Sequence, residues 1–153
     1  MVQMGRIKLL TIYFREYMYI IIIGAGAVTK QLITIAKDRG DRVAVIEKET
    51  EPARDIMQKF DVQVFHADIS KANILQEAEV NNADAIIATT RDDSVNLMAM
   101  ILGKQHQVPH LITLLQEEEH QAMFEKLGIK VLSDPEKLIA QKLHSFIDLD
   151  KSK

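Results

Sequence analysis

The sequence contains no cysteine, so neither a disulfide framework nor thiol chemistry is available to it. It contains no run approaching the roughly 20 apolar residues that cross a bilayer, and no secretory signal is evident, so we expect a cytosolic protein without direct membrane insertion. Lys and Arg number 19 against 22 Asp and Glu. This net charge of −3 gives no reason to expect nucleic acid or an anionic membrane as a partner.

Aromatic residues are scarce, at 5%, whereas hydrophobic residues make up 47% of the 153 positions. Aliphatic packing therefore dominates, and the length suits a single α/β core. Apolar runs predict strands at 19–23, 42–46, 62–66, 84–88, 110–115 and 129–132. Amphipathic patterns predict helices at 27–39, 51–60, 71–79, 93–106, 118–127 and 135–147. This alternation predicts a Rossmann-type, doubly wound, parallel six-stranded sheet with the order 3-2-1-4-5-6.

The predicted elements divide the chain into three segments. The expected domain covers 18–147, and a polar tail follows at 148–153. Residues 1–17 form an N-terminal extension, which is either an extra segment from an upstream start codon or an arm that docks on a partner. Within the domain, Gly40 and Gly128 fall just past predicted helices, where a left-handed residue is favoured.

The most informative segment joins the first two predicted strands. An apolar run ends at Gly24-Ala25-Gly26-Ala27-Val28, a helical pattern follows, and the second strand ends on Glu47. This order is typical of a dinucleotide-binding βαβ unit. The first glycine permits a tight turn, the second lets a phosphate approach the backbone, and free N–H groups of the first helical turn face the anion. The terminal acid accepts hydrogen bonds from ribose hydroxyls.

One position departs from this pattern. Thr29 stands where a glycine or alanine normally lets the helix pack closely on the strand. Because threonine is larger and β-branched, we expect the helix to sit slightly farther out and phosphate binding to be weaker.

Ligands of such sheets bind outside the carboxyl ends of the strands, at the switch point between strands 1 and 4. Besides the glycine turn and Glu47, the candidates at these ends are Lys48, Ala67, Asp68, Thr89, Thr90, Asp93 and Asn96. Asp68 either accepts from an adenine amino group or ribose hydroxyl, or caps the segment near Ser70. Asp92 or Asp93 faces the same choice, with capping favoured. The threonines either donate hydroxyls to a ligand or simply suit a strand end.

The sequence contains no recognisable catalytic constellation. The five histidines lack metal-ligand spacing, and neither a nucleophile elbow nor an acid/base pair for hydride transfer is found. We therefore predict no catalytic residue and no metal site, and expect a nucleotide binder that is not an enzyme. Two helical segments, 95–102 and 138–147, carry more apolar residues than one core face requires. They are either buried in the monomer or, as we favour, part of a subunit interface.

Residues 18–147 resemble the TrkA-N nucleotide-binding domain, also called the RCK (regulator of potassium conductance) domain. The landmarks are IIIGAGAV at 21–28, VIE at 45–47, HAD at 66–68, ADAIIATTRDDSVNL at 83–97 and LGIKVLSDPEKLIA at 127–140. The resemblance implies a cytoplasmic regulatory subunit of a Trk-type potassium transporter or channel. Such subunits form homodimers that assemble into rings at the inner face of the membrane.

The resemblance also implies a ligand, either NAD(H) or an adenine nucleotide such as AMP, ADP or ATP. By position, residues 24–28 would hold phosphate, Glu47 would hold ribose and Asp68 would lie near the adenosine. Thr89, Thr90 and Asn96 would line the site.

Departures from the family pattern leave two alternatives open. Ala27 and Leu114 stand where relatives often place arginines, and Thr29 and Ala67 replace glycines. Fewer positive charges would then compensate a di- or triphosphate, so the chain could be an assembly subunit that has lost nucleotide binding. The other alternative is a fragment of an NAD-dependent oxidoreductase.

Overall fold

The computed structural model describes residues 17–71 and 73–150. Most of the predicted arm at 1–17 and the end of the predicted tail at 148–153 therefore lie outside the described residues. The strands are β1 (Tyr19–Ile23), β2 (Arg42–Glu47), β3 (Gln63–His66), β4 (Ala85–Ala88), β5 (His110–Leu115) and β6 (Lys130–Ser133). The α-helices are α1 (Ala27–Arg39), α2 (Thr50–Lys59), α3 (Ile74–Glu77), α4 (Asp93–Gln105), α5 (Gln121–Lys126) and α6 (Pro135–Asp150). Two 3₁₀ turns, Val80–Asn82 and Glu118–His120, complete the described elements.

The strands of the described chain form one parallel sheet with the order β3-β2-β1-β4-β5-β6, which confirms the predicted Rossmann-type fold. The last residue of β1, Ile23, pairs with Ile46 of β2 and with Ala88 of β4. The carboxyl ends of these three strands therefore lie side by side. The strand order reverses between β1 and β4, which opens a crevice at that edge of the sheet.

A hydrophobic core lies on each face of the sheet because side chains of β1 alternate between the faces. Ile21 and Ile23 pack in one core with Met100 of α4. Ile22 packs in the other core with Ile33 of α1. Since both faces are covered, β1 reads as a continuous apolar run rather than as an alternating strand.

Local backbone conformation explains where the helices differ from the prediction. The helix predicted at 71–79 is reduced to α3, because Asn73 and Glu79 on either side adopt left-handed backbone with φ of 78° and 55°. The helix predicted at 118–127 begins as a 3₁₀ turn and becomes α-helical only in α5. The helix α6 continues past 147 to Asp150, into the predicted tail. Gly40 and Gly128 are left-handed, with φ of 85° and 79°, as predicted.

Both helices that are rich in apolar residues leave large side chains exposed. On α4, Met100 is buried against the sheet whereas Met98 is 42% exposed. On α6, the exposed apolar side chains are Leu138, Ile139, Leu143, Phe146 and Ile147. Burial within the monomer is therefore wrong for these residues of α6, and the subunit interface stays a prediction. Among the described helices, none is long and apolar enough to cross a membrane.

Candidate functional site

A cleft of about 650 Å³ opens at the carboxyl ends of β1, β2 and β4, where the strand order reverses. Its volume lies within the range of small-molecule and cofactor sites, roughly 300–1,000 Å³. Most of the predicted site residues line it, namely Gly24, Ala25, Gly26, Ala27, Val28, Glu47, Lys48, Ala67, Asp68, Thr89 and Thr90. The sheet topology therefore brings together side chains and turns from segments far apart in the sequence.

The turn between β1 and α1 forms one wall of the cleft. Gly24 has a φ of 104°, and its N–H donates to the carbonyl of Ile46 at 3.0 Å. A Cβ at Gly24 would lie 2.9 Å from Thr89 Oγ1, so this position has no room for a side chain. A Cβ at Gly26 would meet nothing within 4 Å. The turn is thus tight at its first glycine and open at its second.

Gly26 is also the N-cap residue of α1, and no side chain caps this helix. The first N–H groups of a helix have no intrahelical acceptor. Because Ala27 and Val28 line the cleft, these uncapped N–H groups and the positive end of the helix dipole are available to an anion there.

Thr29 is completely buried beneath the turn and is bonded at its hydroxyl. Its Oγ1 donates to the carbonyl of Gly24 at 2.8 Å and lies 2.9 Å from Thr89 Oγ1. The Thr89 hydroxyl in turn lies 3.1 Å from the carbonyl of Ile23. The departure from the glycine pattern therefore adds hydroxyl contacts that tie α1, the turn and the end of β4 together. Sequence reasoning foresaw the bulk of this side chain and missed these bonds.

Two carboxylates lie on the β2–β3 side of the cleft. Glu47 Oε1 accepts from the N–H of Glu49 at 2.8 Å. Asp68 Oδ1 accepts from both the N–H and the hydroxyl of Ser70, each at 2.8 Å. These two hydrogen bonds hold the pKa of the Asp68 carboxyl below its usual range, so it is ionised at neutral pH. Asp68 thus closes the local turn, as one interpretation predicted, while also lining the cleft.

Asn96, which was predicted to line the site, is buried and lies outside the lining of the cleft, so a binding role for it stays a prediction. Its side chain is fully buried because α4 packs it against the end of β4. The amide Nδ2 donates to the carbonyls of Thr90 and Leu114 at 3.0 and 3.1 Å. The amide Oδ1 accepts from the Thr90 hydroxyl and N–H at 2.6 and 3.2 Å. With these groups satisfied by the protein, Asn96 holds Thr90 in place.

Asp93 also lies outside the lining of the cleft, so a cofactor-binding role for it stays a prediction. Its carboxylate accepts from the N–H groups of Gln116 and Glu117 at 2.9 and 3.0 Å, which ties the end of β5 to α4. The neighbouring Asp92 caps α4, accepting from the N–H groups of Ser94 and Val95 at 2.9 and 3.2 Å. The capping interpretation is therefore confirmed for Asp92.

The structure adds lining residues that sequence reasoning did not select. Arg91 follows β4, Gln116 follows β5, and the first turns of α6 contribute Pro135, Glu136 and Ile139. Sequence reasoning could have selected Arg91, because it lies in the same segment at the end of β4 as the predicted threonines. The sequence alone could not show that α6 lines the cleft. In the structure, the carboxyl end of β6 lies at the same edge of the sheet, so a helix that starts at Pro135 begins beside the cleft.

The comparisons with known proteins agree with this architecture. Residues 20–135 match the sequence pattern of the TrkA-N domain. The chain belongs to the TrkA-N domain family. Over 134 residues this TrkA-N chain is 30% identical to the Trk system potassium uptake protein TrkA homolog of Methanothermobacter thermautotrophicus, covering 88% of the chain and 62% of that relative. Over 99 residues it is 37% identical to the corresponding homolog of Pyrococcus abyssi, covering 65% of the chain and 43% of that relative. The TrkA-N chain thus spans only part of the length of these relatives.

Solved structures share the same fold at low sequence identity. The TrkA-N domain of the inner membrane protein ybaL from Escherichia coli matches with a TM-score of 0.72 at 14% identity, covering 85% of this chain and 97% of that one. A GsuK channel bound to NAD matches with a TM-score of 0.68 at 20% identity, covering 78% and 22%. The Shewanella denitrificans Kef CTD in its AMP-bound form matches with a TM-score of 0.70 at 14% identity, covering 86% and 80%.

Proposed function

We propose that this TrkA-N domain is a regulatory domain that binds an adenine nucleotide, NAD(H), AMP, ADP or ATP, and thereby gates a membrane potassium transporter or channel. The observation that carries the proposal is the turn between β1 and α1. Gly26 leaves open space above an uncapped helix N-terminus inside a cleft of about 650 Å³. A phosphate fits such a position because backbone N–H groups and the helix dipole stabilise negative charge there.

In this proposal, two carboxylates of the cleft hold the nucleoside part of the ligand. Glu47 and Asp68 lie at the ends of β2 and β3 and line the same cleft. Ionised carboxylates there accept hydrogen bonds from ribose hydroxyls or an adenine amino group. Two solved neighbours of the same fold hold NAD and AMP, which supports an adenine nucleotide as the ligand class.

A regulatory role suits the lining better than a catalytic one. The described residues that line the cleft include no histidine, tyrosine, serine or cysteine. Its carboxylates nearest the glycine turn and the ends of β2 and β3, Glu47 and Asp68, are engaged by backbone N–H groups of their own turns. The chain instead presents backbone N–H groups, hydroxyls and carboxylates suited to holding a nucleotide as an effector.

The exposed helices supply the association surface in this proposal. Apolar side chains of α4 and α6, including Met98 and Phe146, would be covered by a second copy in a homodimer or larger ring. The relatives named for potassium uptake support a membrane potassium transporter as the partner, with this domain peripheral to the inner face of the membrane. A nucleotide would shift the ring only by its difference in affinity between two ring geometries.

Isothermal titration with AMP, ADP, ATP and NADH tests the proposed ligand class. We expect saturable binding of at least one nucleotide, and detection of the same nucleotide by mass spectrometry after purification under native conditions. The absence of binding for all four would support an assembly subunit that has lost nucleotide binding. Turnover of NADH with a second substrate would support the oxidoreductase fragment.

The position of Glu47 predicts which dinucleotide the cleft prefers, one with a free ribose 2′-hydroxyl or one with a 2′-phosphate. A carboxylate at this position repels a 2′-phosphate, so NADH should bind more tightly than NADPH. Glu47→Gln should narrow the difference between the two dinucleotides, because it removes the charge and keeps the shape. Glu51→Gln, on the exposed part of α2, is the matched control and should leave the ratio unchanged. Equal affinity of the wild type for both dinucleotides would contradict this role for Glu47.

A further inference from the structure

The charge of the cleft lining is unfavourable to an anion. Five carboxylates line it, contributed by Glu47, Glu49, Asp68, Asp92 and Glu136. The described cationic side chains of the lining are Lys48 and Arg91. A nucleotide brings further negative charge on its phosphate groups, so affinity depends on where those two cations are placed.

Lys48 lies among the carboxylates of the β2–β3 side. Its Nζ is 4.0 Å from Glu49 Oε1. Its positive charge also contributes, behind the Ser70 hydrogen bonds, to the lowered pKa of the Asp68 carboxyl. Lys48 therefore compensates charges of the protein itself at the end of the cleft that we assign to the nucleoside.

Arg91 has a different environment. Its side chain is exposed in the cleft, and no described carboxylate lies within the 4.0 Å of an ion pair from its guanidinium. Its backbone is nevertheless fixed on both sides. Thr90 before it is bonded to the buried Asn96, and Asp92 after it caps α4. Arg91 is thus an uncompensated cation on an anchored segment.

The anchored segment lies directly against the glycine turn. β1 and β4 are neighbours, and a Cβ at Gly24 would lie 3.1 Å from Thr90 Cγ2 and 3.3 Å from Thr90 N. Arg91 is the next residue along the chain. Of the five lining carboxylates, Glu47, Glu49 and Asp68 follow β2 and β3, whereas Asp92 caps α4 and Glu136 lies in the first turn of α6. Arg91 is therefore the lining cation on the segment that contacts the glycine turn, and Asp92 beside it is engaged by N–H groups of α4.

We propose that Arg91 is the phosphate-binding side chain of this cleft and orients the nucleotide with its phosphates toward β4. This inference rests on the proposed nucleotide site and assigns to it a residue that neither the glycine pattern nor the fold identifies. A guanidinium suits this task because it remains charged and donates two parallel hydrogen bonds to phosphate oxygens. The role would supply positive charge to a phosphate in a cleft whose lining carries five carboxylates and only one further cation among the described residues, Lys48.

The test compares ligands that differ only in phosphate number, namely adenosine, AMP and ADP, by isothermal titration. Arg91→Gln should weaken AMP and ADP about tenfold, equivalent to about 1.4 kcal/mol, and leave adenosine unchanged. Arg91→Lys should recover part of the loss, because it restores the charge without the planar fork. Arg54→Gln is the matched control: it removes one exposed arginine outside the lining and should change none of the three affinities.

The salt dependence of AMP binding is a second measurement, and a merely structural role of Arg91 would not change it. Raising the salt concentration should weaken AMP binding to the wild type more than to Arg91→Gln, because the screened charge pair is absent from the variant. The assignment would be overturned if the wild type and Arg91→Gln bound AMP with the same affinity and ADP with the same affinity. It would also be overturned if the substitution weakened adenosine binding as much as it weakened AMP binding. Failure of the wild type to bind any of AMP, ADP, ATP and NADH would instead overturn the proposed nucleotide site together with this inference.

Discussion

The two glycines of the β1–α1 turn differ in what a side chain would encounter. Gly24 combines a positive φ of 104° with close contacts to Thr89 and Thr90, so any side chain there is strained as well as crowded. Gly26 has extended backbone, with φ −80° and ψ −168°, and open space where a Cβ would lie. The first glycine is therefore required by the fold, whereas the fold alone would accept a side chain at the second.

Gly26→Asp separates binding from folding at this position. Aspartate is a favourable N-cap, so its carboxylate should accept from the first N–H groups of α1 and occupy the proposed phosphate position. The unfolding temperature without ligand should be unchanged or slightly raised. The stabilisation that a nucleotide gives at 100 times its Kd, about 2.7 kcal/mol, should vanish.

Scanning calorimetry with and without AMP measures both effects. Gln31→Asp adds the same charge to an exposed position of α1 outside the lining and should keep the ligand-induced shift. If Gly26→Asp still gained stability from AMP, the phosphate would not be held by this turn.

At the scale of secondary-structure elements, apolar runs predicted the central strands because these strands are covered on both faces of the sheet. Helical periodicity predicted the long helices because each has one buried face. The helix at 71–79 was overpredicted because a left-handed residue such as Asn73 leaves no signal in that periodicity. The prediction of the site residues had a similar gap. Strand ends could be located from the sequence, but the depth of Asn96 depends on how α4 packs against β4 and β5, which only the fold determines.

Asn96→Ala tests the anchoring of α4 to the sheet. The substitution leaves the carbonyls of Thr90 and Leu114 without their amide donor in a part-buried site. Each such loss costs about 1–3 kcal/mol, which sums to about 2–6 kcal/mol for the two carbonyls. Because losses above about 4 kcal/mol are exceptional for one substitution, we expect the free energy of unfolding to fall by about 2–4 kcal/mol. Chemical denaturation measures this change. Asn82→Ala, at an exposed asparagine, is the control and should alter stability by less than about 0.5 kcal/mol. A similar small effect for both variants would show that the amide network does not hold α4.

At the scale of the whole molecule, α6 connects the cleft with the exposed apolar surface. Ile139 lines the cleft and belongs to the same helix as Leu143 and Phe146, which are 62% and 51% exposed. The sequence predicted an amphipathic helix here but could not show that its first turns reach the cleft, because that depends on β6 lying at the edge beside β5. A nucleotide that contacts Ile139 would thus touch the element that we propose for association.

Phe146→Asp tests whether this surface associates. We expect the wild type to be a dimer or larger assembly at micromolar concentration, and the variant to dissociate. Truncating a central interface side chain costs upwards of about 2 kcal/mol, and a carboxylate that is desolvated without a partner costs more. Because Phe146 is already half exposed in the single chain, the substitution should leave the monomer folded.

Light scattering across a dilution series measures the assembly, and circular dichroism checks the fold. Gln141→Asp places the same charge on an exposed polar position of α6 and should dissociate less. A wild type that stays monomeric at high concentration would exclude the ring. If both variants dissociated to the same extent, the effect would be due to charge on α6 rather than to loss of its apolar side chains.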